Sequence, residues 1–195
     1  SDIDVLGTFA KTFGDVDGFS FSPFISKDEC KCQILFTPCL IHPTVMIRKS
    51  FLDKFNLLYD IKYLCSQDFD MWARCSEVGN ISMLDKVLLR YRIHGAQTSM
   101  AKKELQRQYT IDICQRQLAK MKIKVAENDI KCHLVICGKE PLTVDIIDDV
   151  ISWGNKIIFF NSKKKIYNDL VLRRIVYNRI FNLLIKSNFK KSLVL

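Results

Sequence analysis

Glycine and proline are scarce in this chain, whose 195 residues include seven Gly and four Pro. Long irregular stretches usually contain both residues, so we expect few of them. Long apolar runs are missing too. The longest runs cover only a few residues, such as 134–137 and 157–160, whereas a membrane-spanning helix needs roughly 20 apolar residues. The sequence therefore predicts few long irregular stretches and no membrane span.

Two classes of motif are also missing. The eight cysteines include no CxxC pair, which argues against a zinc ribbon and a thioredoxin-type motif. No glycine-rich phosphate loop of the dinucleotide-binding or P-loop type is present. We expect the cysteines to be mostly buried, reduced thiols of a cytoplasmic protein. The alternative is a metal site built from Cys30, Cys32, Cys132 and His133.

Positive charge is concentrated in the second half of the chain. Residues 1–100 carry 11 basic and 12 acidic side chains, whereas residues 101–195 carry 19 and 9. Such a basic tail suggests an anionic partner. An anionic membrane surface, a nucleic acid and a merely solvated basic face all remain open. No recognised nucleic-acid motif is present, so we do not expect nucleic acid as the partner.

The pattern of apolar residues changes near residue 100. Before it, short strands alternate with short helices; the predicted strands are 6–13, 40–47 and 87–93, and the predicted helices are 50–55 and 68–78. After it, the pattern is helical throughout, with helices predicted at 102–121, 127–137, 143–160 and 166–189. The sequence therefore predicts an α/β part, residues 1–100, followed by an all-α helical extension or bundle, residues 101–195.

Three segments of the first part combine polar and apolar residues in a specific order. They are 41–49 (IHPTVMIRK), 66–74 (SQDFDMWAR) and 88–99 (LLRYRIHGAQTS). Together they resemble the C-terminal half of the catalytic domain of family 2 glycosyltransferases, which have the GT-A fold. That family shows a strand similar to "HPTVMIRK", a helix start similar to "EDYDLW" and a segment similar to "YRxHxxxxS". The resemblance covers about residues 1–100.

The resemblance implies transfer of a sugar, with inversion, from a nucleotide-diphosphate donor to a saccharide or lipid-linked acceptor, typically in surface polysaccharide synthesis. It assigns the general base to Asp68, which stands at the predicted start of a helix. The helix dipole there favours an ionised carboxylate, which can take the proton of the attacking hydroxyl. Gln67 stands where the family usually has Glu. The structural alternative for Asp68 is an ordinary helix N-cap.

Four further residues are candidates for binding the acceptor: Trp72, Asp70, His42 and Thr44. Trp72 could stack on a sugar ring, but its spacing is also that of a core residue. Asp70 lies four residues before Arg74, which is the spacing of a helical ion pair. In the family, the strand carrying His42 and Thr44 approaches the acceptor side. A buried His42 bonded to a backbone group is the alternative.

The resemblance places Arg92 and His94 near the leaving diphosphate, and His94 near a divalent metal. We expect Arg90 to point away from Arg92 along the strand. The cofactor implied is Mn²⁺ or Mg²⁺, which prefers oxygen ligands. A surface turn histidine is the alternative for His94.

The family holds its donor with an N-terminal half that contains a DxD motif. Residues 2–4 and 15–17 have this form but lack the family's surroundings, and residues 4–7 instead resemble the strand that follows the DxD helix. We therefore expect this chain to lack the nucleotide-binding half, to be inactive by itself and to form homodimers through exposed sheet. We expect a cytoplasmic protein, either free or peripheral on the inner membrane face.

Overall fold

The computed structural model describes residues 2–20, 25–95 and 102–187. The chain divides into two compact units, residues 1–113 and 114–195. The first unit extends beyond residue 100 because the next helix begins against it. The ring of Tyr109 packs edge-on against Tyr63, and Gln106 Nε2 donates a hydrogen bond to the carbonyl oxygen of Cys65 (3.2 Å). The assignment of 1–100 and 101–195 as separate domains stays a prediction.

The first unit is built around one long strand, β1 (Val5–Gly14). Strand β4 (Ile81–Ile93) runs parallel to β1 along one whole edge. The opposite edge is shared by two short antiparallel strands, β2 (Gly18–Ser20) near the end of β1 and β3 (Met46–Ile47) near its start. The strands predicted at 6–13 and 87–93 are therefore confirmed, and β4 begins earlier than expected.

Three helices lie in the connection between β1 and β4. They are α1 (Lys27–Ile34), α2 (Lys49–Phe55) and α3 (Gln67–Val78). Helix α1 packs against α3 and β4, and its Cys30, Cys32 and Ile34 side chains are buried. The mixed α/β character of this part is confirmed. Its assignment to the GT-A fold stays a prediction.

The strand predicted at 40–47 is wrong over most of its length. A 3-10 turn covers His42–Thr44, and only Met46–Ile47 pair with β1. Pro43 sits in the first turn of that 3-10 segment. Its ring fixes φ near −65° and it has no N–H to give to a sheet, so the chain turns here before it pairs.

Helix α3 ends at Gly79, as the sequence predicts. The backbone of Gly79 is extended, so a left-handed conformation is not the reason for glycine. A Cβ at this position would lie 2.4 Å from the ring of Phe51. Glycine is required because α2 packs directly on the end of α3.

Every regular element of the second unit that the structure describes is a helix. Helix α4 (Lys103–Lys120) leads into it, and α5 (Glu127–Ile136), α6 (Ile147–Lys164) and α7 (Asp169–Lys186) pack on one another. Trp153 and Ile157 of α6 lie at its centre, with Leu172 and Val176 of α7 also buried. The predicted helical extension is confirmed. No helix in the described ranges is long and apolar enough to cross a bilayer.

Candidate functional site

The start of α3 presents one partly exposed carboxylate. Asp68 is the second residue of the helix, and its Oδ1 accepts a hydrogen bond from the backbone N–H of Phe69 (2.8 Å). Its Oδ2 has no hydrogen-bond partner among the described residues. Asp68 therefore has an oxygen available to accept a proton.

Tyr59 and His42 form a hydrogen-bonded pair in the same part of the unit. His42 Nε2 lies 3.0 Å from Tyr59 Oη. Partial burial raises the pKa of the Tyr59 hydroxyl, and the negative charge of Asp68 raises this pKa further. The phenol therefore stays protonated at neutral pH, and Asp68 is near enough for its charge to act on it. The pair can offer a hydroxyl and a ring nitrogen to a ligand.

His42 is exposed and lies on the 3-10 turn. The alternative prediction, a buried His42 bonded to a backbone group, is therefore not observed. Thr44 makes two hydrogen bonds with the backbone. Its Oγ1 donates to the carbonyl oxygen of Ile41 (2.8 Å) and accepts from the N–H of Thr8 (3.0 Å). These two bonds fasten the turn to β1 and thereby set the position of His42.

Trp72 and Asp70 are buried on α3. The edge of the Trp72 ring meets the His42 ring, with 5.9 Å between centroids, and the indole offers no exposed face to a sugar. Asp70 Oδ2 accepts from Arg74 Nε (2.8 Å) and forms an ion pair with its Nη2 (2.7 Å). The ion pair that the spacing predicts is confirmed. Both side chains support the helix that carries Asp68.

Arg92 and His94 lie at the other end of the sheet. Thr44 is tied to Thr8, whereas Arg92 pairs with Phe13, about 16 Å further along β1 at the usual rise per residue. Both side chains are exposed. Arg90 shares the face of Arg92, because the pairing between them is regular and alternate residues of a strand point the same way. The expectation that Arg90 points away was therefore wrong. Residues 96–99 of the third segment lie outside the described residues.

The aspartates of the first DxD-like sequence, residues 2–4, bond to other groups of the protein. Asp2 pairs with Lys27, and Asp4 Oδ2 accepts from the N–H of Asn80 (2.9 Å). Within the described part of the chain, the one group of three or more His, Cys, Asp or Glu side chains whose possible ligand atoms lie close together is in the second unit and does not include His94. The residues described here therefore do not fit a Mn²⁺ or Mg²⁺ site.

Tyr59 is the residue of this site that sequence reasoning missed. It follows Asn56, whose left-handed backbone (φ 49°) ends α2 and redirects the chain. An asparagine that ends a helix was visible in the sequence. It predicts a turn, but it does not predict that the third residue after it will meet His42.

Comparison with known proteins gives two partial similarities. The chain is 29% identical over 96 residues to an uncharacterized glycosyltransferase of Haemophilus influenzae, and 32% identical over 71 residues to an uncharacterized glycosyltransferase of Methanocaldococcus jannaschii. The matched parts are 49% and 36% of this chain, and 28% and 24% of those proteins. The chain thus matches about a quarter of the length of each relative. No protein-family model and no solved structure matches it.

Proposed function

We propose that the first unit is the acceptor-side half of an inverting glycosyltransferase of the GT-A type, with Asp68 as the general base. The observation that carries this proposal is the partly exposed Asp68 carboxylate at the start of α3, beside the His42–Tyr59 pair. The similarity to two proteins described as glycosyltransferases supports it.

The chemistry is a single in-line displacement. An acceptor hydroxyl oxygen bonds to the anomeric carbon while the bond from that carbon to the diphosphate oxygen breaks. The hydroxyl proton passes to Asp68 Oδ2, which has no competing partner among the described residues. His42 and Tyr59 hold the acceptor by its other hydroxyls.

An acceptor that carries a lipid fits the surface around Tyr59. The loop that follows α2 leaves Leu58, Ile61 and Leu64 exposed, and Ile61 is 91% exposed. Three exposed apolar side chains in one short loop favour a ligand that brings apolar surface of its own. A lipid-linked saccharide combines such a surface with the hydroxyl that Asp68 would deprotonate.

Arg92 and His94 are proposed to bind the diphosphate of the donor in the intact enzyme, although in this structure they lie about 16 Å further along β1 than Thr8, which holds the turn of His42. An arginine guanidinium binds phosphate oxygens well, and both side chains are exposed at the end of β4. When Mn²⁺ or Mg²⁺ is bound in the intact enzyme, the ion would neutralise charge on the diphosphate. His94 alone supplies too few ligand atoms to hold the ion, so no step of the proposal depends on it.

Transfer by the intact enzyme tests the proposal directly. We expect sugar transfer from a uridine or guanosine diphosphate donor to a saccharide or lipid-linked acceptor, with an inverted anomeric configuration in the product measured by NMR. Residues 1–195 alone should neither bind these donors in calorimetry nor transfer the sugar. A product with retained configuration would contradict the proposed role of Asp68. Micromolar donor binding to residues 1–195 would contradict the assignment of the chain as one half.

We further propose that α7 binds an anionic membrane surface. Its exposed apolar residues follow one another at intervals of seven, four and four, so they share one face of the helix; they are Leu170, Tyr177, Phe181 and Ile185. Arg173 and Arg174 are exposed close to this face. Apolar side chains flanked by basic ones are typical of helices that lie in a membrane interface.

Vesicle sedimentation checks the membrane proposal. Each arginine near an anionic surface contributes about 1 kcal/mol, so Arg173→Gln with Arg174→Gln should weaken binding to phosphatidylglycerol vesicles about 30-fold. Lys86→Gln with Lys103→Gln removes the same charge from other exposed positions and should leave binding almost unchanged. Equal losses in both variants would show that net charge alone is responsible. Tighter, salt-dependent binding to duplex DNA would favour a nucleic-acid module instead.

A further inference from the structure

A cluster of two thiols and an imidazole is buried in the second unit. Cys114 lies on α4, His133 lies on α5, and Cys137 is the residue that caps α5. The two sulfur atoms and a ring nitrogen of His133 lie within 4.8 Å of one another. The glycosyltransferase proposal uses none of these residues, which leaves the cluster without an assigned role.

The hydrogen bond to His133 decides what the cluster can bind. Trp153 Nε1 lies 3.2 Å from His133 Nδ1, and an indole N–H can only donate. His133 Nδ1 must therefore be the unprotonated nitrogen, so the neutral ring carries its proton on Nε2. A nitrogen that carries a proton cannot ligate a metal ion. If the proton moved to Nδ1 to leave Nε2 free for a metal ion, the N–H groups of His133 and Trp153 would point at each other.

Zinc also requires more ligands than the cluster supplies. A structural zinc site has four protein ligands, whereas the described residues supply three here. The guanidinium of Arg179 adds a positive charge nearby, since its Nη1 donates to the carbonyl oxygen of Ile136 (2.9 Å), the residue next to Cys137. A cation would therefore meet both a protonated nitrogen and a positive charge.

The same groups favour a thiolate at Cys137. Burial raises the pKa of this thiol, but the hydrogen bond from Cys114, the interaction with His133 and the charge of Arg179 outweigh it and leave the pKa well below its usual value. The pKa of Cys114 is raised, mainly by its hydrogen bond to Cys137 and by burial. One sulfur is thus suited to attack, and its neighbour keeps a proton to donate.

Cys137 also lies at the edge of the buried region. It ends α5 and is 5% exposed, and the next two residues, Gly138 and Lys139, are exposed. Gly138 has a positive φ (71°), which turns the chain away from the helix. Cys137 is therefore next in sequence to exposed backbone, where a small oxidant such as hydrogen peroxide can approach it.

We propose that Cys137 and Cys114 form an oxidation site that closes to a disulfide when the protein meets a peroxide. The Cys137 thiolate attacks one peroxide oxygen, the O–O bond breaks, and hydroxide leaves and takes up a proton to become water. The resulting Cys137 sulfenic acid is then attacked by the Cys114 sulfur. The S–S bond forms, and the sulfenic oxygen leaves as a second water with the Cys114 proton. Two electrons pass from the two thiols to one peroxide.

Peptide mapping of the peroxide-treated chain tests this directly. We expect a linked peptide pair joining residues 114 and 137 in the wild-type protein, reversed by dithiothreitol. Cys114→Ser should leave a sulfenic acid at Cys137 that dimedone traps. Cys137→Ser should slow oxidation at Cys114 by about tenfold or more, because the attacking thiolate is lost. Cys30→Ser with Cys32→Ser, which removes two buried cysteines of the other unit, should leave the linked pair unchanged.

Two results would overturn the proposal. One is a wild-type chain in which Cys114 and Cys137 stay unlinked under peroxide, even though the exposed part of the protein is oxidised. The other is a wild-type chain that contains one equivalent of zinc. In that case a chelator would remove the zinc, and both Cys114 and Cys137 would then become reactive toward an alkylating reagent. Both measurements use the wild-type protein, so they are decisive even if a serine variant does not fold.

Discussion

Replacing Asp68 by asparagine should abolish sugar transfer by the intact enzyme while leaving donor binding nearly unchanged. The amide keeps the size and the hydrogen bond to the Phe69 N–H but cannot accept the hydroxyl proton. Loss of a general base typically lowers the rate by about 10²–10⁴-fold. Transfer rates of Asp68→Asn and wild type, measured at saturating donor and acceptor, provide the comparison.

Asp60→Asn is the matched control for this substitution. Asp60 lies in the neighbouring loop and makes only a local bond, its Oδ1 accepting from the N–H of Lys62 (2.9 Å). Its variant should transfer sugar at the wild-type rate. If Asp68→Asn kept a rate within about threefold of wild type, far short of the loss of a general base, Asp68 would not be the base and the carboxylate would be an ordinary helix-terminus residue.

Loss of the buried carboxylate of Asp70 should strongly destabilise the first unit. The Asp70 side chain is 1% exposed and that of Arg74 is 24% exposed. Asp70→Ala leaves a largely desolvated guanidinium without its anion, and removing one partner of a buried pair typically costs about 3–5 kcal/mol. Chemical denaturation monitored by tryptophan fluorescence would measure the free energy of unfolding.

An exposed ion pair with the same spacing of four residues serves as the control, because losing its charge involves no buried partner. Lys49 and Asp53 on α2 form an ion pair at 2.8 Å, but their side chains are 87% and 63% exposed. Asp53→Ala should therefore cost only about 0.3–0.5 kcal/mol. Replacing both buried partners, Asp70→Leu with Arg74→Met, should recover most of the loss. A loss of only about 0.5 kcal/mol for Asp70→Ala would mean that the pair behaves like a surface pair.

Local sequence signals were sufficient to predict most helices and strands. One such signal, at the start of α1, was overlooked. Helix α1 was not predicted, yet Ser26 and Glu29 form a capping box at its start, with Ser26 Oγ accepting from the Glu29 N–H and Glu29 Oε2 accepting from the Ser26 N–H. This Ser-x-x-Glu spacing is a known helix start. The error at 40–47 had the opposite cause, since an apolar run was given more weight than its proline.

The candidate site was only partly predictable because it depends on long-range register. The placement of Asp68 at a helix start follows from local sequence, and it is confirmed. The distance between Asp68 and Arg92 does not follow from local sequence, because it depends on which residues of β1 each segment contacts. Thr44 meets Thr8 and Arg92 meets Phe13, and no pattern within either segment specifies those partners.

The parallel pairing of β1 with β4 also determines when the site can form. Strand β1 ends at Gly14 and β4 begins at Ile81, so His42, Tyr59, Asp68 and Trp72 all lie in the loop that the two strands close. Closing a loop of this length is slow and costs conformational entropy. The loop must close before the contacts that offset this cost can form. During synthesis, the residues of the site must wait until β4 has left the ribosome. Until then, their apolar neighbours are available to chaperones and to other nascent chains.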